Sequence, residues 1–509
     1  MAGRDAGGVI MVQGTSSHAG KSILVAALCR VFAQEGLRVA PFKAQNMSLN
    51  SFATPDGGEI GRSQAVQAAA ALTSPRVEMN PVLLKPEGER RSQVVVMGRP
   101  QAVACPREYH RLQASLWPKV TAALDSLRSE HDVVVIEGAG SPAEINLKNQ
   151  DIVNMRVALH ATAPVLLVGD IDRGGVFAQL VGTMELLDHE EQARVKGLVI
   201  NKFRGDPSLL DSGLDFLKVR TGVPVVGVLP YFADIRIPEE DSLGLVGEAD
   251  REDGTAVDVA VIRLPHIANF DDFDPLRYQP GVRLRYVSRP ADFGNPDLVV
   301  IPGSKTTISD LEWLRAQDLD TRILAARGEG TPVIGICAGY QMLGGRLIDP
   351  HRVESSRSEA DGLGLLPTST TFSRDKATYQ TRVRVTGDRG LLSGCPGAEA
   401  TAYEIHMGVT TGQALPMPFI IESRSSVRVE LPEGALDREG LTLGTYLHGL
   451  FHNPQVRTSI LECAARRRGL VLPDRRPQLD QNAEYDKLAA WARANLDMGY
   501  IRRIAGLPG

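Results

Sequence analysis

Cysteine is scarce in this chain, and its scarcity already narrows what the protein can be. Five cysteines among 509 residues, at positions 29, 105, 337, 395 and 463, are odd in number and show no C-x-x-C pairing. That argues against a disulfide framework and a cysteine-bound metal, and makes a reducing, cytoplasmic interior the expected compartment. Charge of one sign is lacking too: 56 basic against 61 acidic residues leave a formal charge of -5. Such a balance offers no polyanion-binding surface, so nucleic acid is not an expected partner. No apolar run approaches the ~20 residues of a membrane span, and the N-terminal run GGVIMVQG is too short for a signal peptide's apolar region and cleavage site. A soluble protein with no membrane partner is expected. Short-period repeats and low-complexity tracts are also missing. What remains is a globular composition, 43% apolar and 23% charged. The chain is longer than one hydrophobic core usually supports, so two or three domains are expected.

Runs rich in Val and Ile recur through the first half: GVIMVQG at 8–14, LRVAPFK at 37–43, DVVVIEG at 132–138, PVLLVGD at 164–170, GLVINK at 197–202 and VPVVGVLP at 223–230. Between them lie stretches with helical spacing, such as KSILVAALCRVFAQEG at 21–36, which ends in a glycine suited to a helix C-terminus. Continuous apolar strands alternating with helices predict a doubly wound parallel sheet covered on both faces. The acidic, glycine-containing stretch at 237–255 reads as the boundary, dividing the chain into domains 1–240 and 256–509. A second α/β series follows at 257–264, 283–288, 297–303 and 332–337. After about 365 the pattern turns antiparallel, before a helical tail from about 479 to 504.

The segment VQGTSSHAGKS at 12–22 carries what a phosphate-cradling loop needs. Gly14 and Gly20 allow unusual backbone angles, Thr15 and successive amides donate, Lys21 brings charge and the Ser22 hydroxyl suits magnesium. Five residues rather than the usual four separate Gly14 from Gly20. This G-T-x-x-x-x-G-K-S spelling resembles the dethiobiotin-synthetase-like branch of P-loop proteins, which implies ATP as the nucleotide. Glu137, at the end of a strand, is placed to share Mg2+ with Ser22. Asp170 ends another strand at the edge where α/β proteins bind ligands. Asn201 follows a third, where its amide can read a nucleotide base.

The second chemical signal is a lone thiol. Cys337 in PVIGICAGYQMLGG sits between a strand and a helix-like segment, with Gly335 and Gly339 beside it. This is the pattern of a nucleophile elbow, where a sharp turn exposes the side chain and helix amides favour the thiolate. Its proton partner is His448 in GTYLHGLF, with His406 in YEIHMG as the rival. The two motifs resemble the class I glutamine amidotransferases. That resemblance implies a glutamyl thioester on Cys337, His448 as acid and base, glutamine as substrate, and oxyanion donors at the amides of Ser304 and Ala338. Most of the class carries Glu two positions beyond the histidine, where this chain has Leu450. The branch acting on cobyrinate and cobyrate also lacks it, and the group orienting His448 stays unidentified at this level.

A phosphate loop and an ammonia source on one chain imply ATP-dependent amidation of a carboxylate through an acyl phosphate. PFKAQNMSLNS at 41–51, EIGRSQAVQA at 59–68, MNPVLLKP at 79–86, SQVVVMG at 92–98, DIDRGGVFA at 170–178 and PHIANFDDFDPL at 265–276 together resemble the cobyric acid synthase family. The resemblance implies adenosylcobyrinic acid a,c-diamide as the corrin partner, amidated at its b, d, e and g carboxylates. Lys43, Gln45, Asn46 and Asn50 form a polar group after the second strand, suited with Asp170 to binding a large ligand rich in amides and carboxylates.

Overall fold

The computed structural model describes residues 7–238 and 256–508, apart from 89, 233, 356, 413–414 and 474–479. From residue 239 onward, the expected boundary segment 237–255 lies outside the described residues. The apolar runs of the first half form one parallel sheet. Across it the order is Val225–Pro230, Val195–Phe203, Val165–Asp170, Gly8–Gly14, Val133–Glu137 and Val39–Phe42. Its strands are apolar throughout because both faces are covered; Ile10, Met11 and Val12 at the centre are fully buried. From Gly8–Gly14 the chain goes to the edge strand Val39–Phe42, returns to insert Val133–Glu137 between them, and then builds outward on the other side, which makes Gly8–Gly14 the point where connections diverge and a crevice opens. Register pairs Val12 with Glu137, Gly14 with Val168 and Asp170 with Asn201. Residues scattered over nearly 190 positions thus meet at one sheet edge.

Between Phe42 and Val133 the chain inserts a smaller sheet of Gln45–Met47, Val82–Pro86, Ser92–Val96 and Arg99–Ala104. The insertion also holds two helices, Arg62–Ala70 and Pro106–Glu130.

The second domain repeats the parallel arrangement, in the order Val282–Val287, Val257–Ile262, Leu298–Ile301, Val333–Ile336 and Thr442–Thr445, with Ala435–Leu436 antiparallel at the edge. The expected change after 365 is a long antiparallel pair, Thr368–Val385 with Glu399–Gly412. The expected tail is two helices, Gln481–Asn495 and Met498–Ile504. They pack on the first domain: Tyr485, Leu488, Ala489, Ala492 and Ile501 share a core with its Leu24, Leu28 and Phe32. The helix Lys21–Gln34 is buried along both flanks, and one of them needs this cover.

The domains meet along a buried polar seam. The Ser51 amide donates to Asn269 Oδ1 at 2.9 Å, Phe270 donates to Asn50 Oδ1 at 3.3 Å, and Arg62 pairs with Asp271 at 2.9 Å. Farther along, Lys305 pairs with Glu87 at 2.6 Å and Lys376 with Glu59.

Candidate active sites

Cys337 ends the strand Val333–Ile336 and precedes the helix Ala338–Leu343 with φ 54° and ψ −108°, a conformation that L residues rarely hold. The turn closes only because its neighbours are small. A Cβ on Gly335 would lie 2.6 Å from the Gly339 backbone, and one on Gly339 would strike the Ile301 carbonyl. The thiol is buried, 3.5 Å from the Ile405 carbonyl.

His448 faces it from the segment after Thr442–Thr445. Its Nδ1 lies 2.7 Å from Asp272 Oδ2, and the other oxygen of Asp272 accepts the Gly449 amide at 2.7 Å. Asp272 is the orienter that position 450 does not supply. Both side chains are almost fully buried. Burial alone would drive the imidazole's proton off, but the Asp272 charge and hydrogen bond, with a contribution from Cys337, overcome it and push the pKa up to about 10. Tyr403 stacks on the imidazole at 5.1 Å, and Gly303 passes where any Cβ would lie 3.0 Å from His448 Cε1. His406, the rival, lines the same cavity, but its ring stacks on Tyr446 at 3.8 Å and its Nε2 lies 3.7 Å from Glu404.

The cavity at the thiol is lined by both domains, with Lys85 of the first joining Ser304, Gln341, Glu354 and Lys376 of the second. Ser304 is held by its hydroxyl donating to Asp310 at 2.6 Å, and Ala338 opens the helix behind the elbow. Glu354 is pushed up to about 7 by burial, against the pull of Lys305 and the Thr307 amide.

At the edge of the first sheet, Gly20 adopts φ 95° before the helix Lys21–Gln34. Lys21 Nζ donates to the Ser16 carbonyl at 2.9 Å and the Gly140 carbonyl at 3.1 Å. Ser22 Oγ donates to Glu137 Oε1 at 2.8 Å, Lys43 pairs with that oxygen at 2.8 Å, and Gln67 donates to the other. These partners hold the Glu137 carboxyl below its usual range despite complete burial. Gly14 leaves room for the Lys21 ammonium, which would lie 3.1 Å from any added Cβ, and Thr15 donates to Gln179 at 3.1 Å.

Residues 10–244 match the CobQ/CobB/MinD/ParA nucleotide binding domain, and residues 258–456 the CobB/CobQ-like glutamine amidotransferase domain. The chain is 51% identical to the cobyric acid synthase of Sorangium cellulosum (strain So ce56), with 98% of each covered. It is 53% identical to that of Moorella thermoacetica over 98% of this chain and 97% of the relative. For Desulfitobacterium hafniense (strain DCB-2) the identity is 51% over 100% and 99%. The chain belongs to the cobyric acid synthase family. It is therefore a glutamine-dependent ligase with an ATP-using P-loop domain.

In this family member the residues expected to bind substrate do not form one cluster. Lys43 turns to Glu137, while Asn46 donates to Gln64 at 3.0 Å and Asn50 joins the domain seam. Gln45 accepts from Tyr109 and lines a separate cavity. Asp170 pairs with Lys202 at 2.8 Å on the other side of the phosphate loop. Asn201 donates to the Ala19 carbonyl at 2.8 Å and packs against Gly20, so it braces the loop from beneath. Sequence reasoning missed Asp272, Gln67 and Arg62. In NFDDF the core residues Phe270 and Phe273 carry Asp271 and Asp272 inward with them, a hint of burial but not of the histidine that Asp272 meets.

Proposed function

We propose that this chain converts the b, d, e and g carboxylates of adenosylcobyrinic acid a,c-diamide to amides, using one ATP and one glutamine for each. The observation that carries the reading is the position of the elbow thiol, whose cavity is walled partly by the nucleotide domain. Ammonia released there begins at the domain seam, away from bulk water that would protonate it.

In each cycle a corrin carboxylate oxygen attacks the γ-phosphorus of ATP, ADP departs and an acyl phosphate forms. The Cys337 thiolate attacks the glutamine carboxamide carbon, with the amides of Ser304 and Ala338 receiving the oxyanion. His448, protonated through its Asp272 partner, gives its proton to the leaving nitrogen. Ammonia departs, and water then hydrolyses the thioester to glutamate. Ammonia adds to the acyl carbon, phosphate leaves and the amide remains. Lys21 is the phosphate-binding cation. Ser22 and Glu137, a hydroxyl beside a carboxylate, fit the hard oxygen set that Mg2+ prefers, and the ion would neutralise charge on the transferred phosphoryl group.

Pure protein incubated with ATP, magnesium, glutamine and the diamide, with the corrin followed by mass spectrometry, should show four successive replacements of OH by NH2. Cys337→Ala should abolish the glutamine-driven reaction and spare the ammonia-driven one. An unchanged corrin alongside continuing ATP hydrolysis would overturn the assignment.

A further inference from the structure

Beside the phosphate loop lies a cavity of about 370 Å³ that none of the chemistry above uses. It opens between the inserted small sheet, the start of the helix Pro106–Glu130 and the segment that follows Glu137. Leu84 and Ile152, 4% and 1% exposed, form apolar floor, while Met47 and Leu147, 56% and 47% exposed, stand at the mouth. Gln45 and His110 supply polar groups among them.

One wall is shared with the nucleotide site. The turn Gly138–Ser141 offers its Gly140 carbonyl to the Lys21 ammonium at 3.1 Å and lines the cavity with Ala139, Gly140 and Ser141. Asn154 locks that turn in place: it accepts the Ala139 amide at 3.1 Å and donates to the Ala139 carbonyl at 2.7 Å. A group seated in the cavity therefore has a fixed short path to the phosphate end of a bound nucleotide.

We propose that this cavity seats the edge of the corrin ring and presents one carboxylate at a time to the γ-phosphate; the proposal rests on the corrin reading above. The composition of the walls supports this occupant. Lys148 is tied to Asp188 and Glu191 at 2.8 and 2.7 Å, and Asp151 accepts the Val153 and Asn154 amides at 2.7 and 2.9 Å. Glu144, exposed, is the remaining charged side chain of the lining; with the others engaged internally, recognition falls mainly to apolar contact and shape. A clamp built for one carboxylate would fix one position of the ring. An apolar seat with amide and imidazole groups at its sides tolerates the ring in several orientations, as an enzyme that amidates four positions requires.

Leu147→Asp and Met47→Asp test the seat, because both positions are half-exposed and the fold does not depend on them. Binding of adenosylcobyrinic acid a,c-diamide, measured by calorimetry with a non-hydrolysable ATP analogue present, should weaken about tenfold or more in each variant, and Leu147→Met should bind as wild type. ATP affinity and glutamine hydrolysis without corrin should stay unchanged, and all four amidations should slow together. Corrin binding unchanged in both Asp variants, with wild type active, would remove the corrin from this cavity. Slowing confined to one of the four positions would overturn the common seat. Wild type that neither binds nor amidates the diamide would instead overturn the function on which this proposal rests.

Discussion

A carboxylate 2.7 Å from Nδ1 keeps the proton of His448 on that side and leaves Nε2 for the thiol. The same carboxylate holds the imidazolium in a place where burial alone would discharge it. Asp272→Asn preserves the shape but removes the charge and can stabilise the wrong tautomer. Glutamine hydrolysis should fall about 100-fold or more, with ammonia-driven amidation retained. Stability should respond with a definite sign. The pKa of His448 rises on folding, so its contribution is complete below about pH 6.5 and is lost as pH climbs toward about 10. The drop in Tm caused by Asp272→Asn, followed by circular dichroism against pH, should therefore be largest at acid to neutral pH and shrink toward pH 10. A gap independent of pH would mean that the pair acts only through packing.

The helix Arg62–Ala70 touches both chemical centres. At its first residue Arg62 lies 2.9 Å from Asp271, the neighbour of Asp272, and its guanidinium sits 5.2 Å above the Phe52 ring. One and a half turns on, a rise of about 7.5 Å, Gln67 donates to the Glu137 carboxylate and to the Ser22 carbonyl at 3.4 Å. If nucleotide and metal bind at Ser22 and Glu137 as proposed, they would change what Gln67 holds, and the helix would carry that change to Asp271. On that path ATP should stimulate glutamine hydrolysis in the wild type, and Gln67→Ala should reduce that stimulation about 5–100-fold while leaving the ATP-free rate near wild type. Glutamate release with and without ATP measures it, and an unchanged ratio would take the helix out of the coupling. Little of this was legible in EIGRSQAVQA. The strands were readable because continuous Val and Ile runs have one stable use. This helix instead buries Ser63, Gln64 and Gln67 against partners from distant segments, so its polar residues imitate a surface pattern. Asp272 escaped for a related reason: its partner lies 176 positions away, and no local spacing encodes the pairing. Cys337 and the phosphate loop were legible because elbow and loop are each written within about a dozen consecutive residues.

At the scale of the molecule, the chain builds most of the nucleotide domain, builds the glutaminase domain, and then returns. The returning helices bury Leu488, Ala492 and Ile501 completely against the first domain, and Arg30 pairs with Asp486 at 2.7 Å. Without them the flank of the helix Lys21–Gln34 that carries Arg30, Val31 and Gln34 loses its cover, and that helix begins with Lys21 and Ser22 of the phosphate loop. Each large side chain uncovered there forgoes roughly 1.5–3 kcal/mol, a large share of the 5–15 kcal/mol that usually separates folded from unfolded domains. A fragment of residues 1–238 should consequently be poorly soluble and bind ATP at least tenfold more weakly than the full chain. Co-expression with a peptide of residues 480–509 should recover both properties, and Leu488→Asp in that peptide should cancel the recovery by placing a carboxylate in the apolar contact. Solubility and ATP titration of the three preparations check the argument. A lone fragment that binds ATP as tightly as the full chain would show that the returning helices cover the nucleotide domain without sustaining its loop.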